Sequence, residues 1–330
     1  MDDEPRQSRH TEMTRRKWLL LGTGSLGLLG LTAGAVGIKR MGLIEAFGTT
    51  PKRMRDHRVP DQVGARVLAV AHGSSPERNV RATLGALGGI ERFVTAKDKV
   101  LIKPNIAWDR RPEQGATTDP RVVAEIVRAC RAAGVERLRV LDCPVDDANR
   151  TYERTGIAQA ARQAGAQVSL PEQTGYDYVA LRGHRLPWPI RDTFLWADKI
   201  INVPIAKHHG SSKLTAGMKN WIGITDKNRA LFHGSLHESI VALAELIRPT
   251  LTIIDATRVL MRNGPRGGNL DDVRVMNTVI ASTDPVAADA FACDLLRFSR
   301  DQVKYLGLAE AAGLGHCDWK SLRYEELQLG

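Results

Sequence analysis

From Val67 onward, short apolar runs alternate with stretches of helical periodicity, and this alternation constrains the fold more than any other feature. The runs are Val67–Ala71, Val100–Ile102, Leu138–Leu141, Ile200–Val203, Leu251–Ile254 and Val279–Ala281. Each is rich in Val, Ile and Leu, as strands buried on both faces of a parallel sheet are. Between them lie helical patterns near Glu77–Leu87, Tyr152–Ala164, His237–Ile247 and Asp284–Leu296. The clearest helix opens at Asp119-Pro120, an N-cap followed by proline at the first helical position, and closes at Gly134. Val179–Leu181 and Arg185–Leu186 flank a turn at Gly183, which predicts a small hairpin inserted before the fourth strand. The expected fold is α/β: a mostly parallel sheet flanked by helices, with that hairpin inserted.

The chain of 330 residues divides into three parts. Residues 66–330 form a single α/β domain, residues 36–65 read as a basic linker, and residues 1–35 read as an address. In that first part Thr14-Arg15-Arg16-Lys17 precedes an uncharged stretch from Trp18 to Ile38, and Ala33-Gly34-Ala35 offers a small-residue exit. The paired arginines before Trp18-Leu19-Leu20 resemble a twin-arginine export signal. This implies the export machinery as a partner and export across the inner membrane, to the periplasm or beyond. Residues 18–38 are also long enough to remain as an uncleaved membrane anchor. Gly22-Thr23-Gly24-Ser25-Leu26-Gly27 satisfies a dinucleotide fingerprint, but arginines precede it where a strand is required, so it is set aside.

A formal charge of +10 invites a nucleic-acid reading. Arginine supplies 34 of the 47 basic residues, mostly scattered, and the dense cluster at Lys52, Arg53, Arg55 and Arg58 has no aromatic platform beside it. Nucleic acid is therefore not expected as a partner. The four cysteines, Cys130, Cys143, Cys293 and Cys317, lack the spacing of an iron–sulfur or zinc motif, and no cofactor is named by the residues.

Ligands of open α/β sheets gather at the carboxyl ends of the strands. Those positions are polar here: Lys103-Pro104-Asn105, Asp142-Cys143, Lys207-His208-His209, Asp255 and Asp284. Thr215 and Lys219 share a face if their segment is helical, and Asn220 is adjacent. A site drawing on these residues suits a small anion, with Lys103, Lys207 and Lys219 binding charge and His208 carrying a proton. Lys103, Lys207 and His208 are the catalytic candidates, and Asp142 or Asp255 could orient the histidine. Asn105, Lys219, Asn220, Asn263 and Gly264 are the binding candidates, the last two from the glycine-rich turn Arg262–Gly268. His233 and His237, four apart, together with Asp255 are the candidate metal ligands, against a reading of His233 as a turn or cap residue. No nucleophile elbow occurs, so triad hydrolysis has no support. A small-molecule enzyme and a non-catalytic periplasmic ligand- or cofactor-binding protein, a metalloprotein among them, both stand.

Several of these strings occur together in a recognisable order. Val100-Leu101-Ile102-Lys103-Pro104-Asn105, Thr117-Thr118-Asp119-Pro120, Ala197–Pro204 and Lys207-His208 come first. Thr215–Gly223, Asn263-Gly264-Pro265 and Asp284–Asp289 follow. Over roughly residues 67–300 the chain resembles the domain of unknown function 362 family. The resemblance implies no reaction. It implies recurrent polar positions at Lys103, Asn105, Lys207, His208, Lys219, Asn220 and Asp289. Members that carry an iron–sulfur cluster have an attached cysteine run, and this sequence lacks one.

Overall fold

The computed structural model describes residues 50–330 apart from Asp61, Gln62 and Arg185. The export signal or anchor over residues 1–35, and residues 36–49 of the linker, lie outside the described residues. Among those described, the strands are β1 (Leu68–His72), β2 (Lys99–Pro104), β3 (Arg137–Val140), β4 (Gln167–Val168), β5 (Tyr176–Val179) and β6 (Trp188–Arg191). They continue with β7 (Lys199–Val203), β8 (Lys207–His209), β9 (Lys213–Thr215), β10 (Leu251–Leu260), β11 (Val273–Ser282) and β12 (Tyr324–Gln328). The helices are α1 (Pro76–Ala86), α2 (Pro120–Ala132), α3 (Ala148–Arg154), α4 (Ile157–Gln163), α5 (Thr193–Trp196), α6 (Leu236–Ile247), α7 (Pro285–Leu295) and α8 (Tyr305–Ala311).

Eight strands form one sheet in the order β12-β1-β11-β10-β7-β2-β3-β4. Every pairing is parallel except the two made by β11, which runs antiparallel to both β1 and β10. The mostly parallel α/β fold is thus as expected, with one strand reversed. The reversal follows from connectivity: β10 and β11 are ten residues each and joined as a long hairpin, so no crossover helix separates them. An inserted hairpin, β5–β6, does precede β7 in the chain, but its strands are Tyr176–Val179 and Trp188–Arg191, and Leu181 and Leu186 fall in the connection between them.

Side-chain alternation sends each strand's apolar residues to two cores. Val100 and Ile102 of β2 join Val140, Ile201 and Val203 under α1, α2 and α4, whereas Leu101 joins Ile200, Ile254 and Ile280 under α6, α7 and α8. Burial on both faces explains why these strands read as continuous apolar runs.

Three local expectations change. The predicted helix over 152–164 is two helices, α3 and α4, because Gly156 takes φ 70° between them. Thr215 and Lys219 do not share a helix; Thr215 ends β9, and Lys219 begins a short 3-10 segment, Lys219–Ile224. The linker reading fails over residues 50–60, which dock on the domain. Met54 and His57 are buried, the Lys52 amide donates to Tyr178 O at 2.8 Å, and His57 Nδ1 lies 3.1 Å from Asp198 O. The basic cluster there is largely neutralised within the molecule: Lys52 meets Asp177 at 2.6 Å, Arg58 meets Asp56 at 2.6 Å, and Arg55 pairs with Asp198.

A cationic cavity at the strand ends as the candidate site

Strands β3, β2 and β7 are neighbours in the sheet, and the chain leaving their carboxyl ends encloses a cavity of about 490 Å3. β2 contributes Lys103 and, just past its end, Asn105; β3 is followed by Asp142 and Cys143; β7 leads into the β8–β9 hairpin. Of the sequence candidates, Lys103, Asn105, Lys207, Lys219, Asn220 and Asp142 all line this space.

Lys103 is wholly buried and donates to Asp142 Oδ1 at 2.6 Å and to Pro104 O at 3.0 Å. Asp142 Oδ2 accepts from the Ile106 amide at 2.6 Å, so this carboxylate is fully engaged. Burial lowers the lysine's pKa and the Asp142 charge opposes that fall. Gly223 lies against the pair: a Cβ there would stand 2.3 Å from Asp142 Oδ1 and 2.8 Å from Lys103 Nζ. Only a residue without a side chain fits.

Lys207, 1% exposed, donates to the carbonyl of Ala116 and has no carboxylate partner. Burial, then the neighbouring Lys219, presses its pKa well below the ordinary lysine value. Among the described residues Lys219 makes no ion pair, and burial with the Arg229 charge brings its pKa down to about 8. Arg229 donates to the carbonyls of Cys143 (2.8 Å), Pro144 (3.1 Å) and Thr225 (2.6 Å). Thus Lys207, Lys219 and Arg229 face the cavity with no carboxylate among their partners, while the cavity's Asp142 is taken by Lys103.

The β8–β9 hairpin decides which histidine belongs here. Residues two apart on a strand share a face, so Lys207 and His209 enter the cavity together, with Thr215 opposite Lys207 in the register. His208 is outside the lining; its Nδ1 accepts from the Gly264 amide at 3.1 Å, on the other face of the hairpin. The expected proton carrier is therefore displaced by its neighbour's position. His209 Nδ1 accepts from the Ser211 and Ser212 amides at 3.1 and 3.3 Å, which places the proton of the neutral ring on Nε2. Burial, then Lys219 and Lys207, pushes its pKa down to about 2, so it remains neutral. Thr215 Oγ1 is buried without a hydrogen-bond partner. The i,i+2 spacing of Lys207 and His209 was the sequence signal that places these two side chains on one face of the hairpin.

Asn105 and Asn220 line the cavity but chiefly hold it together. Asn105 donates to Asn220 Oδ1 at 3.1 Å, and Asn220 donates to Asn202 Oδ1 at 2.9 Å. Asn202 donates to Gly217 O at 2.8 Å, while Asp289 accepts from the Gly217 and Met218 amides at 2.6 and 3.0 Å. Gly217 to Asn220 is thereby clamped from both sides. Burial raises the Asp289 carboxyl to about 7. Asn202 was missed in the sequence because it sits inside the apolar run Ile200–Val203.

Of the remaining candidates, only His233 reaches the cavity. Asn263 donates to Asp272 at 2.8 Å, and Gly264 is needed because a Cβ there would sit 1.9 Å from His208 O. Neither lines the cavity, although Pro265 does. Asp255 is buried within β10, accepting from the Asp119 and Thr257 amides at 2.7 and 2.9 Å. Asp284 caps α7 through the Val286 and Ala287 amides. His233 lines the cavity, whereas His237 lies outside that lining and stacks against Tyr305 at 6.4 Å, so the two do not converge. Among the described residues, no three His, Cys, Asp or Glu side chains are grouped to hold a metal ion.

The fold is α/β, with a lysine-lined cavity at the carboxyl ends of a largely parallel sheet. The chain belongs to the DUF362 family, a domain of unknown function, whose model matches residues 100–294, a stretch that includes every cavity residue discussed above. It is 28% identical over 253 residues to the thylakoid-associated protein sll1697 of Synechocystis, covering 72% of this chain and 74% of that one. Among solved structures it is similar to the lactate racemase apoprotein of Thermoanaerobacterium thermosaccharolyticum, with 12% identity and a TM-score of 0.42. A Thermotoga maritima protein gives 13% and 0.40. This chain covers 58% and 60% of those two proteins, which match 74% and 68% of it. Among the described residues no helix is long and apolar enough to cross a membrane.

Proposed function

We propose that this protein binds a small organic anion in the cavity and acts on it as an enzyme, with Lys207 as the proton acceptor. The observation that carries the reading is the charge imbalance: Lys207, Lys219 and Arg229 face the space, and its one carboxylate is consumed by Lys103. An anion would supply the missing counter-charge. Burial and the nearby Lys219 lower the pKa of Lys207, so its ammonium gives up a proton more readily than an exposed lysine does, and the free amine can take one from a bound molecule. His209 Nε2–H and the Thr215 hydroxyl are available to orient the ligand.

Calorimetric titration with small carboxylates and inorganic phosphate tests the binding. Lys219→Met should abolish it, and unchanged affinity in that variant would sink the proposal. Catalysis is tested by hydrogen exchange of the bound anion in D2O, read by proton NMR. Exchange that disappears in Lys207→Met supports an enzyme; binding without exchange of any ligand hydrogen points to the alternative, a non-catalytic ligand-binding protein.

The protein is further read as exported through the twin-arginine route, on Arg15-Arg16 followed by the uncharged stretch to Ile38. The thylakoid association of the Synechocystis relative is compatible with a location at or beyond a membrane. Retention of a reporter fusion in the cytoplasm when Arg15 and Arg16 become lysine supports this route. Fractionation then separates a cleaved signal from an anchor over residues 18–38.

A further inference from the structure

The cavity is polar at its buried end and carries mostly apolar side chains at its mouth. Its buried end holds Lys207 at 1% exposure, Thr215 at 3% and His209 at 7%. Its outer wall is Trp108, Val145, Ala230 and Pro265, with His233 beside them, and Val145 is 52% exposed. The Val145 amide donates to Ala107 O at 2.8 Å, which joins two segments of this wall. Arg266 lies over the Trp108 ring at 5.2 Å and pairs with Asp146, tying the third segment to the other two. Among the described residues Thr215 Oγ1 is buried without a hydrogen-bond partner and Lys219 makes no ion pair, so the inner part of the cavity has donors to offer while most of the outer wall offers hydrocarbon.

Building on the anion reading above, we infer that the ligand is an amphiphile: one anionic head group bound at Lys207, Thr215 and Lys219, carrying an apolar body that leaves between Trp108 and Val145. A bare inorganic anion would satisfy the floor and leave the wall's apolar surface wet. A neutral hydrocarbon would cover the wall and leave the cations unanswered. A single molecule with both parts fits the order in which the two surfaces occur along the cavity. A linear or aryl carboxylic acid of roughly six to ten carbons is the simplest such molecule, since burying each methylene contributes about 0.8 kcal/mol.

The full chain is titrated calorimetrically with acetate, butyrate, hexanoate and phenylacetate, and with hexanol and inorganic phosphate as controls. Affinity should rise up to about fourfold per methylene from acetate to hexanoate, the ratio that corresponds to the methylene value above. Hexanol should not bind measurably. Val145→Asp, a change at an exposed position, should flatten the chain-length gradient without unfolding the protein, and Trp108→Ser should flatten it further. Equal affinity for acetate, phosphate and hexanoate would overturn the amphiphile and leave the anion site standing. Hexanol binding as tightly as hexanoate, or no binding by any of the acids, would overturn both.

Discussion

Lys103 and Asp142, brought together from adjacent strand ends, form a buried ion pair with Nζ 2.6 Å from Oδ1. Two charges out of water are tolerable only as a matched set, and removing one leaves the other without a partner. Asp142→Asn or Lys103→Met should therefore cost about 3–5 kcal/mol in urea denaturation. The double variant Lys103→Met/Asp142→Leu should recover part of that loss, because no charge is then stranded. If both single variants are as stable as the parent, the pair is not the structural keystone of this floor.

Gly223 holds the backbone against that pair. With a Cβ 2.3 Å from Asp142 Oδ1, Gly223→Ala must displace the carboxylate or its own strand of chain. A loss of about 1–3 kcal/mol is expected from overpacking. Anion affinity should fall with it, since Gly223 also lines the cavity. Thermal melting beside calorimetry separates the two effects.

The two histidines predict opposite phenotypes. His208→Ala removes the acceptor of the Gly264 amide and should lower stability by about 1 kcal/mol, with the ligand affinity per folded molecule little changed. His209→Leu removes a neutral donor from the cavity floor and should weaken anion binding roughly fivefold to tenfold, the equivalent of one hydrogen bond. A larger binding loss at His208 would reverse the assignment.

Lys219 makes binding pH-dependent. Its pKa near 8 means that the free site loses this charge as pH rises through 8, so anion affinity should fall above that point. Binding at pH 8 should take up protons, seen as a binding heat that depends on the buffer's ionisation enthalpy. The effect on folding has the opposite trend. An unfolded lysine stays charged to about 10.5 while the folded one does not, so burial of Lys219 destabilises most below pH 8. That penalty fades as pH rises from 8 towards 10.5. Lys219→Met should remove the stability dependence.

Asp289 positions Lys219 without lining the cavity. Its raised pKa, about 7 against 3.8, means the folded state keeps a proton that the unfolded chain releases. The stability this contributes is present below about pH 4 and is lost as pH rises through 7; Asp289→Asn should flatten that slope. Asp289→Ala leaves the Gly217 and Met218 amides without their acceptor, at about 1–3 kcal/mol each, and should weaken anion binding by releasing the Lys219 loop.

Much was legible in the residues alone. Apolar runs mark strands because strands buried on both faces need apolar side chains at every position, and Asp119-Pro120 marks a helix start because its chemistry is local. The lysines and asparagines at the strand ends were found by the same rule of position. Even His209 was within reach, since a period of two is a property of the chain. Other features depend on residues far apart in sequence. The reversal of β11 was set by hairpin pairing, and the docking of residues 50–60 by partners at Tyr178 and Asp198. The same is true of charge. Composition counts an excess of cations, but only the packed structure shows that Lys103 is answered by Asp142 while Lys207 and Lys219 are not. Coulomb energy and desolvation depend on distance and burial, and those exist only once the chain has folded.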